Sequence, residues 1–174
     1  MSQPLFLVET AVNLILAHIQ ANIEAALEAK ADIIQPGEMA TNLQKPKSYF
    51  FYEALDFQAP GIFVIPEGSD FRKPSGANFV RALHQINIAC VYEDRDIEHL
   101  TRGAWRYQSV LQSLLDGIPL EKTVGSDVVV KIVPKVENSS YSPIYETTDK
   151  NAPKNRFRKE VWLSCSVEHY EKWF

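Results

Sequence analysis

The stretch Ile86-Asn87-Ile88-Ala89-Cys90-Val91-Tyr92, closed by Glu93-Asp94-Arg95-Asp96, decides the fold. Ile86, Ile88, Cys90 and Tyr92 share one face of an extended chain. Gln85, Asn87, Ala89 and Val91 share the other. The strand is expected from about Val80 to Tyr92. The acidic break ends it and opens a helix, because a short carboxylate at Asp94 or Asp96 accepts the free backbone N–H groups of a first turn. Beyond the break, Ile97, Leu100, Ala104, Tyr107, Leu111 and Leu114 recur at three- and four-residue steps and predict a buried stripe. The same helix carries Trp105-Arg106-Tyr107. Gly117 and Pro119 stop it.

Outward from this centre the pattern stays regular. Leu5, Val8, Val12, Ile15, Ile19, Ile23 and Ala26 form the apolar stripe of an N-terminal helix. Residues 31–47, punctuated by Pro36-Gly37 and Pro46, read as a connector. Strands are expected at Tyr49–Tyr52, Gly61–Pro66, Asp127–Val136 and Arg156–Tyr170. Residues 67–78 and 137–155 read as long projecting loops. The expectation is therefore an α+β fold in the order α-β-β-β-α-β-β, a mostly antiparallel sheet with an N-terminal and a central helix packed on it. A single domain over 1–174 is expected, since 174 residues suffice for one sizeable core.

Composition narrows the function classes. The chain is 45% hydrophobic and 23% charged, with net charge −4 and a pI near 5.6, unlike a strongly basic nucleic-acid binder. Its first residues lack the basic start of a signal peptide, and no run of 18 apolar residues exists to span a membrane. Cys90 and Cys165 fall in strand-like segments and are expected as buried free thiols.

Catalytic signatures are missing. His18, His84, His99 and His169 are scattered, with none at metal-ligand spacing; structural or surface roles are expected. Glu93, Asp94, Asp96 and Glu98 cluster at a helix start, where capping explains them better than a divalent cation does. No nucleophile elbow, phosphate-binding loop or dinucleotide turn occurs. No cofactor, no metal and no enzyme activity are expected.

The features that do stand out are surface features. Lys150, Lys154, Arg156, Arg158 and Lys159 reverse the local charge of an acidic chain. They suit a phosphate backbone, an acidic partner or a solvated strand edge. Trp173 and Phe174 close the chain and either tuck back or anchor an interface. Phe71 and Arg72 in the first long loop, and Tyr141, Ile144 and Tyr145 in the second, complete the candidate contact residues.

The N-terminal helix, Gly61-Ile62-Phe63-Val64-Ile65-Pro66-Glu67, Gln85 through Asp94, the helix with Trp105-Arg106-Tyr107 and the closing pair of strands together resemble the tail-terminator and neck proteins of long-tailed bacteriophages. The resemblance spans most of the chain as a pattern. It implies a non-enzymatic virion subunit, assembled in the host cytoplasm. Such subunits form a homo-oligomeric ring, commonly a hexamer, that caps the tail-tube protein and meets the head-side connector or stopper protein. The basic residues would then lie near passing DNA. A head-completion or connector role in the same neck, and a small nucleic-acid-binding module using 150–159, are the rival readings.

Overall fold

The computed structural model describes residues 8–31, 43–54, 56–76, 79–124, 128–147 and 156–173; the side chains of 31, 71–76, 79, 80 and 173 lie outside the description. So do the expected helix start at Leu5, most of the connector, Lys150, Lys154 and Phe174.

Two helices, α1 (Val8–Ala31) and α2 (Ile97–Leu115), pack on a mixed sheet that curls into a half-barrel, an α+β arrangement. Its strands are β1 (Ser48–Phe50), β2 (Gly61–Gly76), β3 (Phe79–Asp94), β4 (Leu120–Val124), β5 (Val128–Tyr141), β6 (Tyr145–Glu146) and β7 (Phe157–Trp173). The sheet order is β1-β2-β3-β7-β5-β4, and β6 adds to the start of β7. Among the described strands only β1–β2 is parallel; the other pairings are antiparallel.

Several expectations need correcting. Residues 67–76 are not a loop: β2 runs on to Gly76 against β3, with irregularities between Pro66 and Gly68 and between Arg72 and Gly76. The partner strand carries this polar, proline-containing segment into the ladder, which local propensity alone disfavours. Residues 137–141 likewise continue β5, and 145–146 form β6. β4 was absent from the expected order, because Leu-Glu-Lys-Thr-Val is short and charged at its centre. The element order therefore holds β4 and β6 beyond α-β-β-β-α-β-β.

The core lies between the helices and one face of the sheet. Even-numbered residues of β3 and odd-numbered residues of β7 point to it, so Ile88 meets Leu163 and Cys90 meets Val161 across the ladder. From α1, Ile15, Ile19 and Ile23 are fully buried; from α2, Leu100, Tyr107 and Leu111 are. Cys90 and Cys165 are buried free thiols, and burial raises both, Cys165 to about 12.

Local chemistry fixes α2. Asp96 is its cap: Oδ1 accepts from the N–H of Glu98 at 2.8 Å and of His99 at 3.0 Å. Asp94 instead accepts from Arg95 and Asp96 and holds the turn. Ile97 departs from the expected buried stripe. It is the first residue of the helix and is 49% exposed. At the far end Gly117 takes φ +73°, a left-handed conformation that favours glycine, and its N–H donates to Pro134 O at 2.8 Å. Gly103 allows α2 to lie against Tyr92: a Cβ there would stand 2.5 Å from the Tyr92 ring.

Candidate interaction surfaces and a buried polar chain

The described part of the basic run, Arg156, Arg158 and Lys159, is engaged within the fold. Glu93 lies directly across the ladder from Arg158, whose Nε donates to Glu93 Oε1 at 2.7 Å. Arg156 Nη1 is 3.6 Å from Glu93 Oε2. The Arg158 guanidinium also covers the Phe57 ring at 5.0 Å. Lys159 donates to Ser142 O at 2.9 Å and lies 5.8 Å from the centre of the Tyr141 ring. The other acidic residues of the cluster are likewise accounted for: Asp94 and Asp96 by the turn and cap, Glu98 by Arg102 at 2.8 Å. Among the described residues, no three His, Cys, Asp or Glu side chains are placed to hold a metal ion.

Large apolar groups gather at the same end of the sheet. Tyr141, Ile144 and Tyr145 are exposed. Tyr141 pairs in register with Val161 and Tyr145 with Arg158, so both stand where β7 begins. The Tyr141 hydroxyl donates to Gln108 Oε1 at 3.3 Å, which joins this rim to the outer surface of α2. Sequence reasoning missed Phe51 (57% exposed), Tyr52 and Trp105 (55% exposed). The first two had been assigned to a strand that stops at Phe50; Trp105 sits off the apolar stripe, which was the available signal. Phe71 and Arg72 have strand backbones within β2, and Trp173 ends β7.

The outer face of the sheet carries a second, smaller apolar cluster. Phe63, Ala89 and Val91 are buried there beneath Phe57, Ile65 and Trp162. Phe63 stacks on Phe50 at 5.4 Å and meets Phe57 edge-on at 5.0 Å. Between them opens a cavity of about 270 Å³ whose rim bears Glu53, Arg158 and Glu160.

The two sides of the sheet end differently from its middle. β1 covers β2 only at Gly61–Phe63, so among the described residues no strand pairs with the outer edge of 64–76. On the opposite side β4 is the last strand. Each edge presents backbone donors and acceptors outward.

Two of the histidines, scattered in the sequence, meet in the fold. Strand register brings His84 on β3 and His169 on β7 together, with Ala82 opposite His169 and His84 opposite Val167. His84 Nε2 lies 3.0 Å from His169 Nδ1. Ser69 Oγ on β2 lies 2.8 Å from His84 Nδ1, and Glu171 Oε1 lies 3.2 Å from His169 Nε2. His84, His169 and Glu171 are all buried. Burial, with His169 adding to it, pushes His84 down to about 4. A serine hydroxyl on an imidazole nitrogen has the connectivity of a nucleophile and its base. His18 plays the packing part expected of it, its Nε2 lying 3.0 Å from Leu114 O. Period-two alternation placed His84 on the face of Ile86, and only the pairing of distant strands adds His169.

No family model matches the chain, and no curated protein does. Among solved structures, a chain from the virion of a native gene transfer agent particle is similar over 88% of this chain and 91% of that one, at 14% identity and a TM-score of 0.41. A likeness that loose carries no functional argument. No described helix is long and apolar enough to cross a membrane.

Proposed function

We propose that this chain is a non-enzymatic virion subunit of a long-tailed phage-like particle, a tail terminator that closes into a ring at the neck. The observation that carries the reading is a pair of sheet edges, 64–76 of β2 and β4, that no described strand covers, on opposite sides of one sheet. A head-to-tail interface joins unlike surfaces, and it closes when the rotation between copies divides the circle. Two different open edges supply the unlike surfaces, and backbone pairing between them removes the exposed edge of each copy. The pattern resemblance to tail-terminator and neck proteins supports the same assignment.

The exposed aromatics at the start of β7 give such a ring a second contact surface, toward the tail tube or the head-side connector. Engagement of Arg156 and Arg158 with Glu93, and of Lys159 with Ser142, favours assembly over phosphate binding for this segment. The test is sedimentation of the purified protein, alone and mixed with uncapped tail tubes, followed by negative-stain microscopy. Rings seated on one tube end are expected. Binding to connector rings in place of tubes would move the chain to another neck position; a monomer that ignores both would overturn the reading.

A further inference from the structure

On the outer face of the sheet, one row across three strands reads Phe63 of β2, Ala89 of β3 and Trp162 of β7. Each strand adds one side chain to the row, and a methyl between two ring systems leaves a notch. The neighbouring rows bound it. Ile65, Asn87 and Ser164 form one, with Ser164 Oγ donating to Asn87 Oδ1 at 2.9 Å; Val91 and Glu160 stand in the other. This notch is the floor of the cavity of about 270 Å³. It is smaller than the roughly 300–1,000 Å³ that drug-sized ligands and cofactors fill, and is of the size for one large side chain.

The walls of this slot are fixed by the fold. Gly61 gives Phe57 room to lie over the sheet: a Cβ there would stand 2.7 Å from the Phe57 ring. Phe57 meets Phe63 edge-on and lies beneath the Arg158 guanidinium. On the other side the Trp162 Nε1–H donates to Glu160 Oε2 at 2.9 Å, and the Tyr145 hydroxyl donates to Glu160 Oε1. Walls already held lose little freedom when the slot is filled. Beyond the mouth the rings continue. Phe50, stacked on Phe63, meets Tyr52 at 5.5 Å, and Tyr52 meets Phe51 at 5.2 Å; Tyr52 and Phe51 are exposed. An apolar collar of this width suits a protein surface. The charge at the mouth is acidic. Arg156 and Arg158 both turn to Glu93, whereas among the described residues neither Glu53 nor Glu160 forms an ion pair. A cation arriving with a ring would face two carboxylates.

We propose that this slot takes an aromatic side chain of a separate protein partner, one that carries a lysine or arginine next to it. The ring enters beside Phe57 and Trp162, over Ala89. The cation lies against Glu53 and Glu160, and the partner's flanking residues cover Phe51 and Tyr52. The contact is on the face of the sheet and not at its edges, so it stands whether or not copies of the chain close into a ring.

Peptide titration of the full chain, followed by proton–nitrogen NMR, tests this. The probe is acetyl-Leu-Trp-Lys-Leu-amide, with versions carrying Ala for Trp or Glu for Lys, and tryptamine as a free aromatic amine. The first peptide should shift the amides of Ala89 and Val91 and the indole N–H of Trp162. Ala for Trp should remove those shifts, and Glu for Lys should weaken binding by about threefold. Ala89→Leu fills the notch from its floor and should abolish binding. Glu53→Gln, at an exposed site, should keep binding and narrow the preference for lysine over glutamate. Absent shifts, equal binding of the Lys and Glu peptides, or unchanged binding to folded Ala89→Leu overturns the proposal. So does tryptamine binding as tightly as the peptide, which would assign the slot to a small amine. Self-association that Ala89→Leu abolishes would assign it to a second copy and overturn it too. If Ala89→Leu fails to fold, the control peptides and Glu53→Gln decide.

Discussion

The two ends of the β3–β7 ladder share one face of one sheet and are built from opposite chemistries. Toward the start of α2, Ile86, Ile88, Cys90 and Tyr92 meet Cys165, Leu163, Val161 and the helices, and every contact is apolar or nearly so. Toward the end of β7 the same face carries His84, His169 and Glu171. The change coincides with the end of α2. Asp116 holds Val136, which lies opposite Cys165, and Gly117 holds Pro134, which lies opposite Val167. Where a helix covers the sheet, area removed from water stabilises it without directional demands. Beyond the helix, three strands are tied by directed hydrogen bonds that tolerate only one register.

The apolar end should be the more costly to damage. Leu163→Ala removes a fully buried side chain that lies opposite Ile88 in the main core. A loss of about 3 kcal/mol is expected in urea denaturation. A loss under about 1 kcal/mol would mean that the helices collapse onto the gap and that this core is looser than its burial indicates.

The polar end should respond differently to one change than to three. Glu171→Leu alone leaves His169 without its acceptor, at an expected cost of about 2 kcal/mol. The triple replacement His84→Leu, His169→Leu and Glu171→Leu should cost less than the sum of the three single changes, because none of the three then leaves another of them without its partner. Additive losses in the same denaturation series would show three independent packing residues and erase the contrast between the two ends.

Two glycines, Gly103 within α2 and Gly117 just past its end, sharpen the comparison further. Gly103→Ala drives a methyl into Tyr92 and should cost about 1–3 kcal/mol by overpacking. Gly117→Ala meets no atom within 4 Å, so its cost, about 1 kcal/mol, is the left-handed backbone alone. Thermal melts of the pair separate crowding from conformation. Equal shifts would mean that Tyr92 moves aside and that the helix is not seated on its ring.

How much of this was legible in the sequence depends on the range of the interaction. The stripes of α1 and α2, the faces of β3, the cap at Asp96 and the stop at Gly117 are set by neighbours within a few residues, and period and cap chemistry reveal them. The extension of β2 through Glu67–Gly76 is imposed by β3, against a local sequence rich in turn formers. The Ser69–His84–His169–Glu171 chain joins residues up to about a hundred positions apart, through a register that nothing local encodes. The same limit applies to the basic run. Its spacing announced a charge patch, whereas Glu93, which sits across a strand pair, determines what Arg156 and Arg158 do.

The smallest effect on stability belongs to Trp105, and its value lies in that smallness. The side chain stands more than half exposed on the outer surface of α2, away from the stripe that Tyr107 and Leu111 bury. Trp105→Ser should therefore change folding stability by less than about 0.5 kcal/mol. A large indole left in water serves best as a contact that another surface covers, and aromatic anchors of this kind dominate interface energies. The substituted chain should fold normally, sediment as a smaller species and cap fewer tubes than the unaltered one. Ring formation at unchanged concentration would confine the subunit interface to the strand edges. A marked loss of stability would instead place Trp105 in the fold itself.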